Sequence, residues 1–136
     1  MQQIKMSDNL LTGIESIDRQ LINIYDIVDK LHGHILENEG NEIIKETLNR
    51  LFKYLNFHFS YEVSVMESIG YPDIQSHKDE HDKCIMKIFY ISSSCSSGNL
   101  SDPEFVTIYL VEWLTEHIAK FDMKLARYMH EHGHAE

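Results

Sequence analysis

The segment IKETLNRLFKYLNFHFSYEVSVMESI, residues 44–69, decides the fold of this 136-residue chain. Its apolar side chains recur every three or four residues, which is the period of an amphipathic α-helix. Gly70 and Pro72 follow, and these residues favour a helix end because glycine tolerates the left-handed conformation and proline resists continuing the helix. The segment therefore predicts a long helix with one buried face. That face comprises Ile44, Leu48, Leu51, Leu55, Phe59, Met66 and Ile69.

Three further segments have the same helical period. The first starts after Gly13 and stops near residues 38–41, where Gly40 is predicted as the C-cap; the third runs from about Ile74 to Ser94. The fourth opens at residues 101–104, with a proline suited to the first turn. Their predicted apolar positions are Ile14, Ile17, Leu21, Ile24, Val28, Leu31 and Ile35; Cys84, Ile85, Ile88 and Phe89; and Phe105, Tyr109, Leu110, Trp113, Leu114, Phe121, Leu125 and Tyr128. Four helices with short connections favour an all-α, antiparallel up-down-up-down four-helix bundle, and the length fits one domain spanning residues 1–136.

Composition narrows the classes of partner. The formal net charge of −10 argues against a nucleic-acid surface and against docking on anionic lipid, since both need clustered Lys and Arg. Cys84 and Cys95 are too far apart along one helix to form a disulfide, so they indicate reduced thiols. Residues 1–10 lack an apolar secretory core, and no apolar run reaches transmembrane length. These features favour a cytoplasmic protein.

Potential metal ligands interrupt the apolar faces in three pairs. His58 and Glu62, like His77 and His81, have i,i+4 spacing, which places both side chains on one helix face. A third pair, His117 and Asp122, is five residues apart, a rotation of about 140° in a regular α-helix. Histidines on buried faces need polar partners, and a metal is one such partner. Nitrogen and carboxylate donors from three segments therefore predict a polynuclear site for iron or a similar metal.

The same segments resemble the bacterial hemerythrins of the short single-domain kind. The resemblance covers nearly the whole chain and rests on LTGIESIDRQ (11–20), HFSYEVSVM (58–66), GYPDIQSHKDEH (70–81) and WLTEHIAKFD (113–122). It implies a non-haem di-iron centre in a four-helix bundle that binds dioxygen reversibly, for oxygen carriage, storage or sensing.

The resemblance also implies a role for each predicted ligand. His77, His81 and His117 would hold one iron. His58 would help to hold the other iron, and Glu62 and Asp122 would bridge the two.

One position departs from the hemerythrin pattern. The family carries a ligand histidine after D-x-Q in the first helix, whereas here Leu21 follows Gln20. The second iron would therefore lack one nitrogen donor. Tyr25 lies one turn further along the same face and is a candidate replacement, because helical side chains lean toward the N-terminus and a phenolate suits ferric iron. The alternatives are a Tyr25 hydroxyl satisfied between helices, with water or a small anion at the metal.

The departure leaves alternative functions open. Extra open metal positions favour reaction with peroxide, dioxygen or nitric oxide over reversible binding, and a mononuclear or zinc-loaded bundle would serve as a metal-stapled binding module. Oxygen binding without enzymatic turnover is the favoured reading. Among the remaining histidines, those at positions 32 and 34 lie too far along the first helix to replace the missing ligand, and those at positions 130, 132 and 134 indicate a solvated terminus.

Overall fold

The computed structural model describes residues 4–96 and 103–134, with side chains for 4–94 and 105–134. After a short 3₁₀ turn at Asp8–Leu10, the helices are α1 (Glu15–Leu36), α2 (Asn41–Ile69), α3 (Ile74–Ser96) and α4 (Pro103–His117). A π-helical turn, Ile118–Asp122, then continues into α5 (Met123–Glu131). Within the described ranges, no helix has both the length and the apolar composition needed to cross a membrane.

The helices form the predicted all-α four-helix bundle. α2 packs against both α1 and α3, α1 packs against α4, and α3 also contacts α4. Short connections at residues 37–40 and 70–73 reverse the chain between neighbouring helices. Since α4, the π-helical turn and α5 follow one another without a break, they act as the fourth rod of the bundle.

The core follows the predicted apolar faces on α1 and α2. Every predicted position on these two faces is buried except Ile69, which is half-buried. On the other two rods, the prediction is wrong at Phe89 and Phe105, which are 65% and 62% exposed. The neighbouring residues Ile88 and Val106 are buried instead. Because successive helical residues are rotated by 100°, a side chain beside a fully buried position points away from the core.

Helix ends agree with the prediction at Gly70 and differ from it at Gly40. Gly70 has φ 67°, and the amide of Tyr71 donates to the carbonyl of Met66 over 2.9 Å, which closes the end of α2. The end of α1 uses Asn38, with φ 53°, as its left-handed residue, since asparagine also tolerates that conformation. Gly40, with φ 96°, instead precedes the first residue of α2. Its prediction as the C-cap of the first helix is therefore wrong.

The chain between α3 and α4 lies outside the described residues, but the ends of both helices do not. α3 extends to Ser96, two residues beyond the predicted end, and α4 begins at Pro103, which confirms proline in the first turn. The connection at 97–102 and the side chain of Cys95 lie outside the described part of the chain. Cys84 is a buried free thiol.

Asp18 fixes the start of α1. Its carboxylate accepts hydrogen bonds from the amide and hydroxyl of Thr12, over 2.8 and 2.7 Å, and from the amide of Gly13, over 3.1 Å. The Thr12 hydroxyl oxygen in turn accepts from the amide of Ile14 over 3.1 Å. These bonds tie the preceding loop to the first turns of the helix, and they therefore fix the position of the residues that follow Asp18.

Candidate metal centre

The bundle brings all six predicted ligands together. α2 supplies His58 and Glu62, α3 supplies His77 and His81, and the fourth rod supplies His117 and Asp122. Each of these residues is between 0% and 4% exposed. Their donor atoms form two overlapping groups, within each of which every donor lies within 4.8 Å of the others.

The first group, here called the three-histidine group, consists of Glu62, His77, His81 and His117. Oε1 of Glu62 lies 3.0 Å from Nε2 of His81 and 3.6 Å from Nε2 of His77. Oδ1 of Asp122 lies 3.2 Å from Nε2 of His77 and 3.3 Å from Nε2 of His117. Three imidazole nitrogens and carboxylate oxygens thus surround one small volume.

The second group, here called the His58 group, consists of His58, Glu62 and Asp122. Nε2 of His58 lies 3.3 Å from Oε1 of Glu62. Because Glu62 belongs to both groups, one carboxylate can contact ions at two adjacent positions. The His58 group has a single nitrogen donor, in contrast to the three of its neighbour.

The π-helical turn aligns the third pair of predicted ligands. The regular helix assumed from the sequence would rotate Asp122 by about 140° from His117. A π-helix contains more residues per turn, since its hydrogen bonds join residues five apart. The turn at Ile118–Asp122 therefore brings both side chains to the same side, with Nε2 and Oδ1 only 3.3 Å apart. The expected angular offset is wrong, and the pair converges as directly as the other two.

The unpaired polar atoms of the site fit a metal. Within the described ranges, buried atoms without a hydrogen-bonding partner include Nε2 of His58, Oε2 of Glu62, Nε2 of His77 and of His117, and both carboxylate oxygens of Asp122. Leaving a buried polar group unpaired costs about 1–3 kcal/mol, and more for a charged group. Such a concentration of unpaired polar atoms is unfavourable unless a cation contacts them. Nitrogen and carboxylate donors together suit iron and related transition metals.

The carboxylates and imidazoles of the site shift one another's pKa. Burial alone would lower the pKa of His77, but the carboxylates of Asp122 and Glu62 raise it to about 9. Burial opposes the charge of His58 as well, and Glu62 raises its pKa above the ordinary value. Burial would raise the pKa of Glu62, but His58 and the other nearby imidazoles hold it well below its usual range. For His81, burial prevails and lowers the pKa. The central carboxylate is therefore ionised and available to a cation.

Aromatic rings hold two of the predicted ligand imidazoles in place. Phe59 stacks on His81 with ring centres 3.9 Å apart and planes inclined by 11°. Trp113 and Phe121 both stack on His117, at 4.7 and 5.4 Å. These contacts restrict rotation of the imidazoles and keep their Nε2 atoms directed at the carboxylates. Leu114 and Ile118, on the same rod, are buried and add apolar surface near the site.

Gln20 is a contributor that the sequence did not reveal. Its side-chain oxygen lies 2.8 Å from Nδ1 of His58 and accepts a hydrogen bond from that nitrogen. The signal was its place between Asp18 and Leu21 in a motif already noted for its resemblance. Nothing in the spacing of α1, however, shows which residue of α2 it contacts.

Leu21 and Tyr25 occupy the face of α1 that the sequence singled out. Leu21 is buried in the apolar core. The hydroxyl of Tyr25 lies 2.9 Å from Oγ1 of Thr115. Burial raises the pKa of Tyr25, the bond to Thr115 lowers it, and the charge of Asp122 raises it. Tyr25 as a metal ligand stays a prediction, and its hydroxyl has a partner in this conformation.

The other histidines lie apart from the two donor groups. Neither group found among the described residues contains His32, His34, His130, His132 or His134. His34 pairs with the carboxylate of Glu39. His130 contacts the carbonyl oxygen of Thr12, with its Nε2 3.4 Å away.

Two grooves on the bundle surface include a predicted ligand imidazole in their walls. One, of about 380 Å³, lies between α2 and α3, and its walls include Phe59, Lys78 and His81. The other, of about 320 Å³, lies between α3 and the fourth rod and includes Trp113 and His117. His81 and His117, which are only 4% and 3% exposed, thus contribute to the walls of these two grooves.

Comparisons with known proteins agree with this site. The family described as the hemerythrin HHE cation binding domain matches residues 12–129. Bacteriohemerythrin of Methylococcus capsulatus is 32% identical over 111 residues, which cover 82% of this chain and 84% of that protein. Bacteriohemerythrin of Clostridium acetobutylicum is 29% identical over 127 residues, covering 85% and 92%. A crystal structure of wild-type hemerythrin has a TM-score of 0.79 at 29% identity, covering 85% of this chain and 88% of that one. The chain is a member of the hemerythrin family of cation-binding domains.

Proposed function

We propose that this protein is a non-haem di-iron protein that binds dioxygen. The observation that carries the proposal is the pair of overlapping donor groups sharing Glu62 inside a hemerythrin-family bundle. One group alone would accommodate a single ion, whereas a shared carboxylate between two groups suits two ions. We also propose that residues 1–136 act as one domain, in support of which the family match spans 12–129. The buried free thiol Cys84 favours a reducing compartment such as the cytoplasm.

The residues divide into ion-holding and ion-bridging roles. His77, His81 and His117 would hold one iron through their Nε2 atoms, and His58 would hold the second. Glu62 and Asp122 would bridge the two irons, since each lies near imidazoles of more than one helix. When bound, iron held by these residues would supply the electrons that dioxygen binding needs.

The surroundings of the six residues exclude water and favour binding of dioxygen over side reactions. The six ligands are almost inaccessible to solvent, and Leu114 and Ile118 add buried apolar surface on the fourth rod. Excluding water strengthens the electrostatic attraction between carboxylates and cations and limits side reactions of the bound ligand. Phe59 and Trp113 stack on ligand imidazoles and keep them oriented without adding polar groups.

A second candidate function is reaction with peroxide, dioxygen or nitric oxide. The observation that favours it is the composition of the His58 group, which contains three side chains in the described part of the chain. These three side chains would hold an ion with fewer protein ligands than the neighbouring group offers, which would leave room for water, a small anion or a reactant. We propose that Leu21, in place of the family's histidine, causes this deficit. Tyr25 is a further candidate to fill it after a change of its side-chain conformation.

The deciding experiment combines iron content with reversibility. Protein expressed with iron is analysed for iron per chain, and its optical spectrum is recorded without oxygen, in air, and after the oxygen is removed. Two irons and oxygen-dependent bands that disappear on oxygen removal support dioxygen binding. Bands that do not reverse favour turnover, and one metal or fewer without such bands refutes the di-iron proposal.

A matched pair of variants tests whether the optical bands arise at the two donor groups. Glu62→Ala removes the carboxylate shared by both donor groups and should abolish the bands. Glu46→Ala changes an exposed glutamate on the same helix and should preserve them.

A further inference from the structure

We propose that Gln20 is a positioning residue that fixes the imidazole of His58 for metal binding, and that it thereby controls occupancy of the His58 group. This inference rests on the proposed two-metal function and deepens it. It assigns to α1 a part in the second metal position although Leu21 supplies no donor.

The hydrogen bond determines which nitrogen of His58 carries the proton. Oε1 of Gln20 is a carbonyl oxygen, so it only accepts, and Nδ1 of His58 at 2.8 Å must be the donor. A neutral imidazole has one N–H, and therefore Nε2 keeps its lone pair. That nitrogen lies 3.3 Å from Oε1 of Glu62, inside the His58 group. Gln20 thus selects the tautomer that can bind a metal at this position.

The effect is larger at His58 than it would be at the other imidazoles. The three-histidine group retains two nitrogen donors if one ring turns away, whereas the His58 group has no other nitrogen. Phe59 and Trp113 already hold His81 and His117 by ring stacking. The acceptor of the His58 hydrogen bond lies 38 positions earlier in the chain, so the bond also joins α1 to α2 at the site.

Gln20 is well placed for this role because its own helix is anchored. Asp18, two residues earlier, is held by three hydrogen bonds from Thr12 and Gly13. Leu21, the next residue, is buried in the core. Anchors on both sides restrict the backbone at position 20, and the amide oxygen therefore meets Nδ1 with little additional loss of conformational freedom.

The test uses three variants of the full chain. Gln20→Met keeps a similar length and removes the acceptor, and Gln20→Glu keeps an acceptor oxygen. Gln75→Met is the matched control, because Gln75 is exposed on α3 and donates to Asp79 over 3.0 Å. The first readout is the tautomer of neutral His58 in metal-free protein, measured by ¹⁵N NMR. The second is anaerobic titration with Co²⁺, followed by its visible absorption.

We expect Gln20→Met to weaken binding of the second Co²⁺ by about 10- to 100-fold while the first is unchanged. Its His58 should lose the uniform Nδ1–H form. Gln20→Glu should restore both properties, and Gln75→Met should match the unchanged chain. If Gln20→Met does not fold by circular dichroism, Gln20→Asn gives the same test, since its amide falls short by about 1.5 Å.

Three results would overturn the proposal. They are Gln20→Met, or Gln20→Asn in its place, keeping the Nδ1–H form and normal affinity; equally weakened binding of both ions; and binding of only one Co²⁺ by the unchanged chain. None of these readouts involves oxygen. An iron-loaded protein without oxygen-dependent bands would therefore refute the proposed function while leaving the tautomer result to decide the role of Gln20.

Discussion

Replacing Leu21 by histidine should add a nitrogen donor to the His58 group and increase its affinity for metal. A ligand that binds the ion directly should contribute at least as much as a hydrogen-bonding partner of a ligand, which is worth about 10- to 100-fold. We therefore expect the second metal to bind at least about 10-fold more tightly, or about 1.4 kcal/mol. The three-histidine group should be unaffected, because none of its members changes.

The same substitution should destabilise the metal-free protein. Leu21 is 1% exposed, and burial of a leucine side chain contributes about 1.5–3 kcal/mol. An imidazole in its place also has a nitrogen without a partner until metal binds, at about 1–3 kcal/mol. A net loss of about 3 kcal/mol would lower the melting temperature of a chain of this length by about 10 °C. Metal should reverse the loss, so the variant should depend on metal more strongly than the parent.

Calorimetric titration with Co²⁺ and thermal melts with and without chelator measure these effects. Leu31→His is the matched control, since Leu31 is also fully buried on α1 but lies ten residues away, about 15 Å along the helix axis. It should lose stability without gaining metal affinity. An unchanged second-metal affinity in Leu21→His, or an equal gain in Leu31→His, would refute the reasoning that position 21 faces the His58 group.

Three further predictions follow from the packing. Trp113, the chain's single tryptophan, stacks on His117, so its fluorescence should fall as iron fills the three-histidine group and should stop changing at one equivalent. A fall only at the second equivalent would show that Trp113 does not report on the three-histidine group. In denaturant melts, Ile88→Ala should reduce the free energy of unfolding by about 2–5 kcal/mol, whereas Phe89→Ala should change it by less than about 0.5 kcal/mol, because only Ile88 is buried. Similar losses in both variants would contradict the packing described for α3. Burial shields the Cys84 thiol and raises its pKa. With Cys95 replaced by serine, we expect Cys84 to be alkylated at least about 100-fold more slowly in folded than in unfolded protein, and equal rates would show that the thiol is accessible.

The sequence predicted most of the site because ligand spacing and helix periodicity coincide. His58 and Glu62 fall on the face marked by Leu55 and Phe59, and their burial follows from the same period of 3.6 residues. The exposure of Phe89 could not be predicted in this way. Apolar residues at neighbouring positions are equally compatible with the core, and the packing partners of α3 decide which of them faces inward.

By itself, the sequence determined the four-helix bundle, the identity of the six ligand candidates and the end of α2 at Gly70, because these depend on local propensity and on residue spacing. The tertiary structure decided the features that depend on contacts between helices or on local departure from a regular helix. It aligned Asp122 with His117 through a π-helical turn, placed Gln20 against His58, and gave Tyr25 the hydroxyl of Thr115 as a partner. Helical periodicity specifies which face of a helix is buried. The atom that each side chain meets depends on the axial offset and rotation of neighbouring helices, and these are fixed only when the whole core packs.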